Sequence, residues 1–321
     1  MPSFLSSPST NTGPELIHVD AGPPVVTLSE PDHSSFSYYS ILITNIFIFI
    51  VSSFGAVGNG MIIWVLGFSS KIYPFTVYIL NLATADLGAL LARMVWFFPL
   101  VLTQEPVLLA SVYFQFFQFM CMASQLLLAA ISLDRCLALL FMACHRPYQP
   151  GHLSIIICVL LWIISFLFSA VHFIRFSSGS SENSSTALYP LKVTALTCLP
   201  LWTIATMVLV VKGCCAMQQF SQHTLLNTIL FTLTFSLLFA LPLDVICIIA
   251  SFKDIPAYIL ELGSLGACLS SSVNPVIYFF IGRKKRSQPR ENIKITLQRI
   301  FQEGEDNRED MELELHFRSQ L

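Results

Sequence analysis

Hydrophobic and polar positions divide the chain into seven long apolar runs joined by short polar links. A helix that crosses a bilayer needs about 20 mostly apolar residues. Runs of that kind fall at roughly 38–67, 75–102, 110–140, 153–175, 190–213, 224–252 and 257–281. The fold class this predicts is all-α, an integral-membrane bundle of seven transmembrane helices. Lipid offers backbone groups no partner, so a spanning segment must satisfy its own hydrogen bonds.

The links fix the orientation. Residues 1–37 contain no Lys or Arg, and Glu15, Asp20, Glu30 and Asp32 sit among Pro and Ser; this predicts a disordered, outward-facing tail. Alternate links carry Lys71, Arg146 and Lys212, and GRKKRSQPR follows the seventh run. Basic residues favour the cytoplasmic side, so the N-terminus is expected outside and the C-terminus inside. Asn183, in the sequon NSS, then lies on the second extracellular loop as a glycosylation candidate. The seven-helix core is expected at 38–281. Next come a basic cluster and a short amphipathic eighth helix over 282–303, opened by Pro289, with Ile293, Leu297, Ile300 and Phe301 on one face. An acidic cytoplasmic tail occupies 304–321.

Composition agrees with a lipid-facing surface. The 321 residues are 55% hydrophobic and only 11% charged, against about 25% charged in soluble domains. A net charge of −2 gives nucleic acid no electrostatic footing. The start, MPSFLSSPST, lacks a basic flank and an apolar h-region, so the first span is expected to target the chain to the membrane. The nine cysteines lie in or beside apolar segments and are expected to be packing thiols. Cys214 and Cys215, at the inner membrane edge, are also candidates for palmitoylation. The seven histidines are scattered and no HExxH or paired catalytic aspartates occur, so no enzyme is expected.

The informative residues are polar ones inside the apolar runs. Asp134 and Arg135 sit together near the cytoplasmic end of the third. They are either a helix end reaching the headgroups, where Arg can snorkel, or a functional pair. Asn59 lies in the first run, Asp86 in the second, Ser124 in the third, Ser271 and Asn274 in the seventh. An ionisable group at that depth normally faces the bundle interior and carries function. Asp86, Ser124, Ser271 and Asn274 supply hard oxygens and one negative charge, suited to a small monovalent cation or trapped water; a purely structural network is the alternative. Pro275 is expected to break the seventh helix there.

Asn59, LATAD around Asp86, Asp-Arg-Cys at 134–136, Trp162, FALPLD around Pro242 and NPVIY at 274–278 occur in that order. The chain resembles a rhodopsin-like (class A) G-protein-coupled receptor over all seven spans. GNGMIIWVLGF, YPFTVYILNLATAD, DRCLALLF, CHRP and LQRIFQEG resemble the Mas-related receptor family. The resemblance implies a plasma-membrane receptor that transmits a peptide or small-molecule signal to a heterotrimeric G protein, with arrestin as a further partner. It implies that Asp134 holds Arg135 at rest and that Arg135 meets the G protein when the sixth helix swings out. Tyr278 would rearrange with it. Asn59, Trp162, Pro242 and Pro275 would form the helix bends and core network. No resident cofactor is implied beyond an allosteric sodium ion at Asp86, Ser124, Ser271 and Asn274.

The sequence departs from the wider pattern in places. Ala110 replaces the usual disulfide cysteine, the second extracellular loop has no Cys, Ala240 stands where a switch tryptophan is common, and Met142 replaces a loop proline. Phe117 occupies the position where amine receptors place an aspartate, which disfavours a monoamine ligand. Arg93, Phe117, Asp244 and Glu261 are the candidate ligand-pocket residues. Arg93 is seven residues from Asp86, two turns along the same face. Arg93 and Asp244 either contact a ligand's carboxylate and amine or pair with each other across the bundle. A ligand-independent, constitutive or decoy receptor is the nearer alternative function; a transporter or channel is the remote one, and the odd span number and lack of visible repeats weigh against it.

Overall fold

The computed structural model describes residues 33–68, 74–102, 107–141, 151–177, 189–217, 224–250, 252–253 and 255–284. Those residues form seven helices: α1 His33–Gly67, α2 Pro74–Leu102, α3 Val107–Phe141, α4 Gly151–Ser177, α5 Tyr189–Met217, α6 Thr224–Ile249 and α7 Ala257–Lys284. α1 begins five residues before the expected 38, and α6 ends at Ile249 rather than 252. The expected eighth helix, the acidic tail and Asn183 lie outside the described residues. The same holds for the side chains of Cys214 and Cys215.

Six of these helices are long and apolar enough to cross a membrane; α7 is not among them. Its sequence explains why. Glu261, Ser264, Ser270, Ser271, Ser272 and Asn274 interrupt it, and all but Glu261 are buried. The polar content faces protein rather than lipid: α7 packs most extensively on α6 and α1 and also touches α2. α4, by contrast, exposes Ile155, Ile156, Val159, Leu160, Ile163, Phe166, Leu167 and Phe168, as expected of a helix wetted by acyl chains.

α3 is the axis of the bundle, in contact with α2, α4 and α5. One apolar cluster joins the inner halves of α1–α7 through residues such as Leu82, Leu127, Trp202, Leu233 and Tyr278. A second, made of Ile48, Leu90, Phe117, Cys121, Leu243, Cys247 and Cys268, fills the end of the bundle that carries the start of α1. The six cysteines among the described residues with resolved surroundings are free and buried.

α7 does not break at Pro275; it runs continuously from Ala257 to Lys284. A proline at that position removes the hydrogen bond to the carbonyl four residues earlier, which belongs to Ser271. Asn59 Nδ2 donates to that Ser271 carbonyl at 3.0 Å and to the Gly55 carbonyl at 3.0 Å. The side chain on α1 takes over the missing donor, so the helix survives its proline. Glycine makes the approach feasible: a Cβ on Gly58 would stand 2.6 Å from Pro275 Cβ.

Candidate functional site

Three buried polar clusters lie along the bundle. The middle one is centred on Asp86, fully buried on α2. Ser124 Oγ on α3 donates to Asp86 Oδ1 at 2.7 Å, and Asn274 Nδ2 on α7 donates to Oδ2 at 2.8 Å. The Ser271 hydroxyl reaches the same carboxyl. The four residues singled out in the sequence thus converge. Ser236 of α6 extends the network: its Oγ donates to Asn274 Oδ1 at 2.8 Å, and its carbonyl accepts from Ser270 Oγ at 3.1 Å. Ser236 was not legible beforehand, because a lone serine in an apolar helix commonly bonds its own backbone. Trp162 lies apart from this cluster, where its Nε1 donates to Asn81 Oδ1 at 2.9 Å and ties α4 to α2.

The donor set fits a small hard cation. Asp86 is buried among neutral hydroxyls and one amide, none of which offsets a carboxylate charge, and an unpaired buried charge is costly. Oxygens are the ligands such ions prefer.

The second cluster lies at the end of the bundle where α3 finishes. Arg135 Nη2 stands 3.3 Å from Asp134 Oδ2, and Arg135 is buried to 8% exposure. Consecutive residues do not share a helix face, so this contact is a sideways reach and restrains the guanidinium weakly on its own. A second restraint is present. The guanidinium carbon lies 4.3 Å from the centroid of the Phe75 ring, itself buried at the start of α2. A desolvated cation–π contact of this kind contributes about 2 kcal/mol. Tyr78, one turn further along α2, hydrogen-bonds Ser154 of α4 and lies near Asp134. Tyr278 is buried and faces Thr232 of α6. Pro242 sits within α6 and is exposed. Sequence reasoning missed Phe75, one of 27 phenylalanines.

The third cluster lies toward the other end. Arg93 Nη2 is ion-paired with Glu261 of α7 and donates to Asn45 Oδ1 of α1 at 3.2 Å. Its guanidinium stands 5.4 Å from the Phe117 ring centroid. The pairing of Arg93 with Asp244 across the bundle does not form. Arg93 is on the side of α2 that faces α1 and α7, whereas Asp244 faces α3, where Gln125 Nε2 donates to its Oδ1 at 2.7 Å. Asp244 is buried to 1% exposure. Gln125 Oε1 and Arg93 Nε are buried without hydrogen-bond partners among the described residues. Gln115 of α3 and His172 of α4 are also hydrogen-bonded, Nε2 to Nδ1 at 2.8 Å.

The model of the 7 transmembrane receptor (rhodopsin family) matches residues 58–278, a stretch that holds the first two clusters and most of the third. The chain belongs to this family. It is similar to the mouse Mas-related G-protein coupled receptor member H, 32% identical over 262 residues that cover 79% of this chain and 82% of the relative. The human Mas-related G-protein coupled receptor member X1 is 30% identical over 266 residues, 80% of this chain and 82% of the relative. Rat Proto-oncogene Mas is 29% identical over 272 residues, 79% and 82%. The protein is therefore a Mas-related G-protein-coupled receptor, a multi-pass plasma-membrane protein and not an enzyme. Membership also accounts for α7: it is the seventh transmembrane helix of the receptor despite its polar interior.

Proposed function

We propose that this Mas-related receptor, with its N-terminus outside the cell, transmits an extracellular peptide or small-molecule signal to a heterotrimeric G protein, and that arrestin shares the same cytoplasmic face. The observation that supports this best is Arg135, a buried cation at the expected cytoplasmic end, in contact with Asp134 beside it and with the aromatic face of Phe75. Each of these two contacts is of the size that a partner's helix can outcompete. Asp134, Arg135 and Tyr278 form the switch, and an extracellular ligand biases a two-state bundle. Asp86, Ser124, Ser271 and Asn274 hold a sodium ion that favours the resting state.

The deciding experiment compares wild type and Arg135→Ala at equal surface density, reading G-protein dissociation across the α subtypes with and without a peptide library. A signal in wild type that disappears in the variant supports coupling through Arg135. A signal that survives the substitution overturns the switch assignment. A wild-type signal that no added peptide changes would mark a ligand-independent receptor.

A further inference from the structure

Toward the α1-start end of the bundle, Arg93 and Glu261 form a direct ion pair. Asp244 is not matched in this way: its hydrogen-bond partner is the neutral Gln125, whose own Oε1 is buried and unpartnered among the described residues. Around Asp244 lie the thiols of Cys121, Cys198 and Cys247, weak donors that cannot offset a carboxylate charge. Lys192 of α5 acts on Cys247, one turn further along α6. Two acceptors, a carboxylate and an amide oxygen, therefore share a place between α3 and α6, while the ion pairs of Arg93 and Arg135 are made with Glu261 and Asp134.

We propose that Asp244 and Gln125 form the anchoring subsite for a ligand's organic cation, an ammonium or guanidinium group on an apolar body. The chemistry is specific in two ways. A group with several N–H donors satisfies the Asp244 carboxylate and Gln125 Oε1 together. Cys247 lies beside Asp244 and belongs to the apolar cluster that also holds Phe117 and Leu243, surroundings that suit an apolar body and a charge pair shielded from water. Arg93 keeps one unpartnered donor, Nε, but its charge is spent on Glu261, so a ligand carboxylate there would have to displace an existing partner. This inference rests on the receptor reading above for its biological meaning, but binding can be measured without it.

The test uses the full-length purified receptor in detergent at fixed potassium chloride. The probes are benzamidinium, agmatine, phenethylammonium, lysine amide and arginine amide, each paired with a neutral isostere. Melting temperature and probe affinity are recorded for wild type, Asp244→Asn, Gln125→Leu and Thr84→Ala, an exposed position on α2. At least one cation is expected to stabilise wild type saturably while its neutral twin does not. Asp244→Asn should weaken that affinity roughly thirtyfold or more, Gln125→Leu should weaken it less, and Thr84→Ala should leave it intact. No cation outperforming its neutral twin on wild type would overturn the proposal. So would equal affinity in wild type and Asp244→Asn; a protonated Asp244 bonded to a flipped Gln125 amide would give that result. The wild-type comparison needs no variant to fold. G-protein activation is read separately: lost cation selectivity with activation intact refutes the subsite alone, whereas cation selectivity without any coupling refutes only the receptor reading.

Discussion

Ser124 and Gln125 are consecutive on α3, yet each donates at 2.7 Å to a different buried carboxyl, Asp86 on α2 and Asp244 on α6. Adjacent helical residues project about 100° apart, and that angle points one toward α2 and the other toward α6. One turn of α3 therefore touches both of these carboxyls. A rotation of α3 would strain both bonds at once.

For Asp86, the expected outcome of Asp86→Asn is loss of any sodium effect on agonist affinity, because the substitution keeps the hydrogen bonds and removes the charge. Radioligand competition across a sodium series, with potassium keeping ionic strength constant, reads it directly. Sodium dependence unchanged in the variant would refute the cation site.

Phe75→Leu removes the aromatic face beneath Arg135 while keeping an apolar side chain. Loss of about 2 kcal/mol of cation–π restraint should raise ligand-free G-protein activation several-fold at equal surface density, and Phe75→Tyr should restore the resting level. If Phe75→Leu leaves basal signalling at wild-type level, the ring is only packing.

Glu261→Gln leaves the Arg93 guanidinium buried without its counter-charge. Breaking a buried pair from one side costs about 3–5 kcal/mol; Glu261 is partly exposed, so the lower end applies. The melting temperature should fall by roughly 5 °C or more, and Arg93→Met/Glu261→Gln together should recover part of it. Additive losses in that pair of variants would show that the two side chains do not interact.

At Gly266, α7 lies directly against the backbone of α6. A Cβ there would meet the Phe239 carbonyl oxygen at 2.7 Å, and backbone cannot move aside as a side chain can. Gly266→Val should sharply reduce surface expression. Gly60→Ala, where a Cβ meets nothing within 4 Å, should not. Normal expression of Gly266→Val would mean that α6 and α7 are less tightly apposed.

What was legible in the sequence was what burial makes costly. Asp86, Ser124, Ser271 and Asn274 stood out because polar groups in apolar helices must find one another, and they do. The partner of Arg93 was not legible. Glu261 and Asp244 lie on consecutive spans, and it is the packing of α2 against α7 that decides between them. Phe75 and Gln125 escaped notice for another reason: a phenylalanine among many, or a glutamine beside a serine, carries no pattern of its own until the helices pack. Pro275 showed the limit of local rules. Its effect on α7 depended on a side chain 216 positions earlier, Asn59.

That last contact has a mechanical consequence. The Ser271 carbonyl is fastened to Asn59, while beyond Pro275 the last turns of α7 carry Tyr278. α1 thus acts as a fixed post and the Pro275 joint as a pivot. Tyr278 rides on the short arm of a lever whose fulcrum is an asparagine amide, so a swing of that arm would leave the rest of the helix fastened.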